Sequence, residues 1–290
     1  MAELTEAAGF GRHPTGFVNA GHGLRLAVYE ASGLGPTVYL AHATGFCAGV
    51  WRAVVGELRA AGHGGRVVAW DARNHGASAA ASHPLSWWDL AHDIPAIHAA
   101  FPPGGRAMGV GHSMGGAALL MAQVEYRLFD ELVLVEPIVP GPPFLRVDHP
   151  LVGLALRRRR EFPSKADARL NFAGKPPFST WDARALDGYV DGGLVGEAGG
   201  VRLACAPEDE AEVFRGANEH AMFERLGEVD VPVGLVVGSD TDTYPVSWAA
   251  ELADCLPEGS LEVVDGGTHF LPMEQPEILA RRVVEAAEAG

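Results

Sequence analysis

The chain has 290 residues, 22 of them basic and 37 acidic, and its net charge is −15 with histidines neutral. This length fits one large domain or two small ones, and a hydrophobic content of 48% with 20% charged residues argues against a disordered chain. The acidic balance disfavours binding to the phosphates of nucleic acids.

Short apolar strands alternate with helical patterns through the first half of the chain. The strand pattern covers residues 24–29, 37–41, 66–70, 106–110 and 131–135, and the helical pattern covers 50–60, 87–100 and 114–127. Several of these strands are apolar throughout, which is typical of a parallel sheet covered by helices on both faces.

The alternation stops after residue 137. Prolines and polar helical stretches with no convincing strand extend to about residue 225. Strands at 233–237 and 261–264 and helices at 248–256 and 277–289 then resume the pattern. We therefore predict a core of residues 1–137 and 226–290, with a helical cap of residues 138–225 inserted between two late strands.

The cysteines and the N-terminus indicate the compartment. Cys47, Cys205 and Cys255 are odd in number and widely spaced, which fits neither a disulfide framework nor a zinc site. Residues 1–6 are acidic and lack the features of a signal peptide, and no run approaches the ~18 apolar residues of a membrane span. We expect a cytoplasmic protein without a metal or cofactor. Its oligomeric state is not readable from the sequence.

Residues 111–115 read Gly-His-Ser-Met-Gly, a G-x-S-x-G motif between a predicted strand and a predicted helix. A nucleophile elbow requires this context, because the serine sits on a sharp turn where the strand and helix backbones nearly touch. Small residues, including Gly111, Gly115 and Gly116, meet that requirement. Ser113 is therefore the candidate nucleophile, with a helix N-terminus to stabilise negative charge beside it.

Together with this motif, three further segments resemble the α/β-hydrolase fold family, in its serine-nucleophile, esterase- and lipase-like branch. The segments are residues 40–46, 71–78 and 266–270. The resemblance covers nearly the whole chain. It implies an α/β-hydrolase fold, in which a mainly parallel eight-stranded sheet carries helices on both faces and a helical cap insertion.

The resemblance also implies a base and an acid for Ser113. His269 is the base, which a serine hydroxyl needs in order to become nucleophilic. The acid usually follows strand 233–237, where the usual position falls on Thr241 between Asp240 and Asp242. In some relatives, including haloalkane dehalogenases, the acid follows the preceding strand, where this chain has Glu136. Glu136 is favoured, with Asp240 or Asp242 as the alternative.

Two backbone amides are expected to form an oxyanion hole, because acyl transfer requires preorganised donors. By resemblance they belong to Met114 and to Thr44, with Phe46 as a substitute for Thr44. Ala43 departs from the family pattern, which usually has glycine there. His42 and His75 are expected to hold these loops by hydrogen bonds.

The predicted function is that of a carboxylesterase-type serine hydrolase acting on small to medium hydrophobic substrates through an acyl-serine intermediate. The alternatives are a C–C bond hydrolase or lyase of the same fold, and a small-molecule receptor with little turnover. The expected partner is a small hydrophobic molecule, with neither nucleic acid nor a membrane involved. The arginine run 157–160 is interpreted as a solvated face of a cap helix.

Overall fold

The computed structural model describes residues 10–288 of the chain. Residues 1–9 and 289–290 lie outside this range, and with them the acidic start and the last residue of the predicted C-terminal helix. No helix in the described range combines the length and apolar character needed to cross a membrane.

Eight strands form one mainly parallel sheet, and three shorter strands form a second sheet. In chain order the strands are β1 (Gly16–Asn19), β2 (Arg25–Ala31), β3 (Thr37–Ala41), β4 (Val67–Trp70), β5 (Ala107–His112), β6 (Glu131–Val135), β7 (Glu161–Phe162), β8 (Leu194–Glu197), β9 (Gly200–Leu203), β10 (Val233–Gly238) and β11 (Gly259–Val264). The large sheet has the order β1-β2-β4-β3-β5-β6-β10-β11. Its β1–β2 and β2–β4 pairs are antiparallel and the others parallel, which confirms the predicted sheet.

Helices cover both faces of the large sheet. In chain order they are α1 (Arg52–Ala60), α2 (Trp87–Ala100), α3 (Met114–Tyr126), α4 (Pro150–Leu156), α5 (Lys165–Ala173), α6 (Ala183–Gly192), α7 (Pro207–Gly216), α8 (Val246–Cys255), α9 (Leu271–Glu274) and α10 (Pro276–Glu288). Within β3, Val38 and Leu40 join one apolar cluster with α1 and α10, whereas Tyr39 and Ala41 join another with α2, α3 and α8. The sheet therefore separates two large cores, as its period-2 side-chain alternation requires.

The inserted segment between β6 and β10 is mainly helical, as predicted, but the expectation that it has no strand is wrong. Strands β7, β9 and β8 form an antiparallel sheet in that order. Each is only two to four residues long, too short to show a period-2 pattern in the sequence. A hairpin joins β8 to β9 through Gly199, whose φ of +90° suits glycine. The predicted boundaries at 137/138 and 225/226 stay a prediction.

The insertion packs tightly on the core through α6. The backbone of Gly188 in α6 meets Gly49 in the 3-10 helix Ala48–Trp51, so that a Cβ added at Gly188 would lie 1.9 Å from the Gly49 carbonyl oxygen. Cys47 is buried at the same contact, and its Sγ lies 3.8 Å from the Gly188 oxygen. This approach is possible because neither glycine carries a side chain.

Helix α4, unlike α6, leaves much of its apolar surface exposed. Its inner side chains Val152 and Ala155 pack on Ala211 of α7 in a small separate cluster. Five large apolar side chains of α4 and of the segment before it are exposed, namely Leu145, Val147, Leu151, Leu154 and Leu156. We call these five residues the outer leucine patch.

Candidate active site

Ser113 occupies the sharp turn between β5 and α3. Its backbone has φ 55° and ψ −114°, a conformation that a non-glycine residue adopts only under constraint. A Cβ at Gly111 would lie 2.6 Å from Gly116 Cα, and one at Gly115 would lie 2.2 Å from the Ala41 oxygen. The small residues of the motif therefore allow the strand and helix to meet. Ser113 is 6% exposed.

Glu136 is the first residue after β6 and is completely buried. Its φ is +49°, and its N–H donates to the Val236 oxygen of β10 at 3.0 Å. Oε1 accepts from the Gly238 N–H at 2.8 Å, and Oε2 accepts from the Thr241 hydroxyl at 2.7 Å. The Glu136 side chain thus links the end of β6 to the end of β10 and the loop that follows it.

His269 lies in the loop after β11, with its Nδ1 3.3 Å from Glu136 Oε2. Asp240 and Asp242 are exposed, and the side-chain hydrogen bond of Asp240 is with the neighbouring Ser239 hydroxyl. Of the three candidate acids, the structure brings Glu136 to the imidazole and directs the two aspartates to solvent. Parallel strand ends meet at one edge of the sheet, which is why residues so distant in sequence come together there.

The backbone of His269 is held by His112, the residue before Ser113. The buried His112 Nε2 lies 2.8 Å from the His269 oxygen, to which it donates. Burial lowers the pKa of His112 well below its ordinary value, so the ring is neutral. Sequence analysis did not anticipate this contact, because the side chain next to an elbow serine points away from it.

The loop after β3 carries Thr44, which is 8% exposed. The N–H of Phe46 donates to the Ala43 oxygen at 3.2 Å, and the N–H of Gly45 donates to His75 Nε2 at 3.0 Å. Within residues 10–288 the Thr44 N–H has no hydrogen-bond acceptor. Thr44 therefore has a free amide in this loop, whereas the amide of Phe46 is engaged in a turn.

Two buried histidines brace that loop, in agreement with the expectation for His42 and His75. His42 Nε2 accepts from the Ala72 N–H at 3.0 Å, so its Nδ1 carries the proton that it donates to the Ala43 oxygen. His75 likewise uses Nδ1 to donate, to the Arg73 oxygen. Burial lowers the pKa of His42 to about 3 and that of His75 to about 4. Both rings are neutral, as their acceptor role requires.

Asp71, the acidic residue that begins the 71–78 segment, has a structural role. It is fully buried and accepts from the N–H groups of Ala48 at 2.7 Å and Ala77 at 2.8 Å, and from the Tyr29 hydroxyl at 3.1 Å. Burial raises the pKa of Asp71 to about 6. This carboxyl joins the loop of Thr44 to the 71–78 turn.

The interpretation of the arginine run as a solvated helix face is wrong for Arg158. The run follows the end of α4, and Arg158 turns inward to pair with Glu210 of α7 and with the Tyr189 hydroxyl of α6. A Cβ at Gly45 would lie 2.7 Å from Glu210 Oε1 and 3.2 Å from Arg158 Nη1. The insertion therefore places a partly buried ion pair against the loop that carries Thr44.

Aromatic side chains of the loop and the insertion surround this region. The centroid of the Phe46 ring lies 5.1 Å from that of Trp181, 5.7 Å from that of Tyr189 and 6.3 Å from that of Phe270. The ring centroids of Phe270 and His269 are 5.4 Å apart. Within the described residues, no group of three or more histidine, cysteine or acidic side chains is arranged to bind a metal ion.

Comparison with known proteins places these features in context. A model of the alpha/beta hydrolase family matches residues 38–282. An abhydrolase domain-containing protein, AKT2 of Alternaria alternata, is 26% identical over 62% of this chain and 82% of its own length. A non-heme chloroperoxidase of Streptomyces lividans is 29% identical over 75% of this chain and 79% of its own. The peroxisomal alpha-beta-hydrolase Lpx1 of Saccharomyces cerevisiae superposes with a TM-score of 0.77 at 20% identity, covering 92% of this chain and 83% of Lpx1.

Proposed function

The chain belongs to the alpha/beta hydrolase family, and we propose that it is a serine hydrolase that cleaves carboxylic esters of small to medium hydrophobic substrates. Ser113 is the nucleophile, His269 is the general base and Glu136 orients the imidazole. The amides of Thr44 and Met114 form the oxyanion hole.

The observation that carries this proposal is the contact between His269 Nδ1 and Glu136 Oε2 at 3.3 Å, made by a completely buried carboxylate. A carboxylate at Nδ1 selects the tautomer whose Nε2 is free to accept a proton. It also stabilises the imidazolium that forms when the serine loses its proton. An exposed aspartate such as Asp240 would do this less well, because water screens its charge.

The chemistry proceeds in two stages. Ser113 Oγ attacks the ester carbonyl while His269 takes the hydroxyl proton, and the alcohol leaves with that proton to give an acyl-serine. His269 then activates a water molecule that releases the acid. In both stages the carbonyl oxygen becomes negative. Met114 begins α3, so its N–H has no partner inside the helix and is available to that oxygen, as is the N–H of Thr44.

The preference for hydrophobic substrates is supported by the aromatic surroundings. Phe46, Trp181, Tyr189 and Phe270 pack on one another, and of these rings Phe270 lies next to that of His269. Phe270 is partly exposed, and an acyl chain that covered its ring would gain the usual hydrophobic free energy of roughly 25 cal/mol per Å² of apolar surface removed from water. The family relation itself leaves the scissile bond open.

Hydrolysis of p-nitrophenyl esters from acetate to palmitate, by wild type and Ser113→Ala in parallel, tests the proposal. We expect a clear rate on short or medium chains that is lost in the variant. A fluorophosphonate probe should label the wild type at Ser113. An absence of turnover above the Ser113→Ala rate on every ester would contradict the ester assignment, and a chromophoric dienone would then test C–C cleavage.

A further inference from the structure

Three donors converge on the Glu136 carboxylate, and that of His269 makes the longest bond. The Gly238 N–H reaches Oε1 at 2.8 Å and the Thr241 hydroxyl reaches Oε2 at 2.7 Å. His269 Nδ1 approaches the same Oε2 at 3.3 Å. The orientation of the carboxylate is therefore set mainly by Gly238 and Thr241, and His269 meets an oxygen already held in place.

Glu136 needs such support because of where it stands. A glutamate has one more rotatable bond than an aspartate and loses more conformational freedom when it is fixed. Its backbone is in the left-handed region at φ +49°, so the side chain departs from an irregular position after β6. A single backbone amide on Oε1 leaves the carboxylate able to rotate Oε2 away from the imidazole.

Thr241 is well suited to prevent this rotation. Threonine is branched at Cβ and has few χ1 rotamers. Its hydroxyl oxygen lies 3.4 Å from the Thr243 N–H, a long contact that directs the hydroxyl hydrogen towards Glu136. Asp240 and Asp242 on either side are exposed, whereas Thr241 between them faces inward.

We propose that Thr241 is a positioning residue for the Glu136–His269 pair, whose hydroxyl holds Glu136 Oε2 against His269 Nδ1. This inference rests on the proposed function, in which that pair activates Ser113. Among the hydrogen bonds of residues 10–288, none joins Thr241 to Ser113. It acts through the carboxylate.

The ionisable groups facing the pair come from several elements. Glu136 follows β6, His112 ends β5 with its ring centroid 5.0 Å from that of His269, and Tyr244 lies near Glu136. Glu274 of α9 is engaged elsewhere, since it accepts from the hydroxyls of Thr180 and Thr268. Burial lowers the pKa of His112 and raises that of Tyr244, so both are neutral near pH 7. A change in the pH profile on altering position 241 therefore reports on the Glu136–His269 contact.

The test compares Thr241→Val, which keeps the shape and loses the hydroxyl, with Thr241→Ser, which keeps the hydroxyl. Thr243→Val, at the exposed neighbouring threonine, is the matched control. In Thr241→Val we expect kcat for ester hydrolysis to fall roughly tenfold with KM little changed, because a displaced catalytic group costs rate and not binding. The acid limb of the kcat/KM profile should move to lower pH, since the imidazolium loses its counter-charge. Thr241→Ser and Thr243→Val should follow the wild type.

A second readout does not need turnover. In proton NMR, the Nδ1–H resonance of His269, assigned by its loss in His269→Gln, should move upfield in Thr241→Val and stay in place in Thr241→Ser. Unchanged kcat, pH profile and resonance in Thr241→Val would overturn the inference. So would an acid limb that moves to higher pH, or an equal loss in Thr241→Ser. If the wild type cleaves no ester but the resonance still moves, the positioning role stands and the ester proposal fails.

Discussion

At the scale of single residues, the candidate site depends on which side chain of a loop turns inward. The ends of β6 and β10 lie at the same edge of the sheet, so the sequence allows an acid from either. The structure directs Thr241 inward and the two aspartates beside it to solvent, and Glu136 fills the space against His269.

Substitution of the three acids should separate them. We expect Glu136→Gln to lower kcat for ester hydrolysis by roughly 10²–10⁴-fold, because a neutral amide neither fixes the imidazole tautomer nor stabilises its charge. Asp240→Asn and Asp242→Asn are the controls and should stay within about twofold, since exposed side chains contribute little. Steady-state kinetics on one p-nitrophenyl ester suffice. A loss in Asp240→Asn as large as in Glu136→Gln would move the acid to β10.

Elements of the candidate site could be predicted from the sequence where local geometry restricts which residues are allowed. The elbow around Ser113 was predictable, because close backbone approach demands glycine at particular spacings, and the loop of His269 was identified by the resemblance of residues 266–270 to the family segment. The strands of the insertion were not, because each is too short for a pattern. Arg158 was not either, since its burial depends on Glu210, 52 residues further along the chain. Such pairings require the tertiary structure.

Because α6 contacts the 3-10 helix Ala48–Trp51 so closely, we expect alanine substitutions at two helical glycines to have very different effects on the free energy of unfolding. Gly188→Ala should reduce the free energy of unfolding by at least about 2 kcal/mol, because its Cβ would overlap the Gly49 backbone. Gly153→Ala in α4 is the control. Its Cβ would meet the flexible end of Arg157 at 3.2 Å, and alanine favours helix by up to about 1 kcal/mol. Urea unfolding measures both, and equal midpoints would show that α6 is not held by this contact.

At the scale of the whole molecule, buried neutral histidines make stability depend on pH. Burial lowers the pKa of His42 to about 3 and those of His75 and His220 to about 4, whereas in the unfolded chain all three titrate near 6.5. Below pH 6.5 the unfolded state therefore binds more protons than the folded state, and stability falls as the pH falls towards 4. Asp71, whose pKa rises to about 6, opposes this trend below pH 6 but is one group against several.

We therefore expect the free energy of unfolding in urea to be lower at pH 5 than at pH 7 by at least about 1 kcal/mol. The exposed His13, replaced by glutamine, should leave that difference unchanged. Stability that is constant or higher at pH 5 would mean that these rings are charged in the folded protein.

The outer leucine patch has a colloidal consequence. With a net charge of −15, copies of the chain repel one another at low ionic strength, whereas at 1 M salt the Debye length falls to about 3 Å and the repulsion is screened. Exposed apolar side chains such as those of the patch then favour association. Light scattering should show particle mass rising with salt, and Leu154→Gln should suppress the rise. Leu34→Gln, at an isolated leucine that is 94% exposed, should not. A particle mass that does not change with salt would contradict this expectation. If the mass rises, ionic strength determines whether the outer leucine patch is exposed to water or covered by another copy of the molecule.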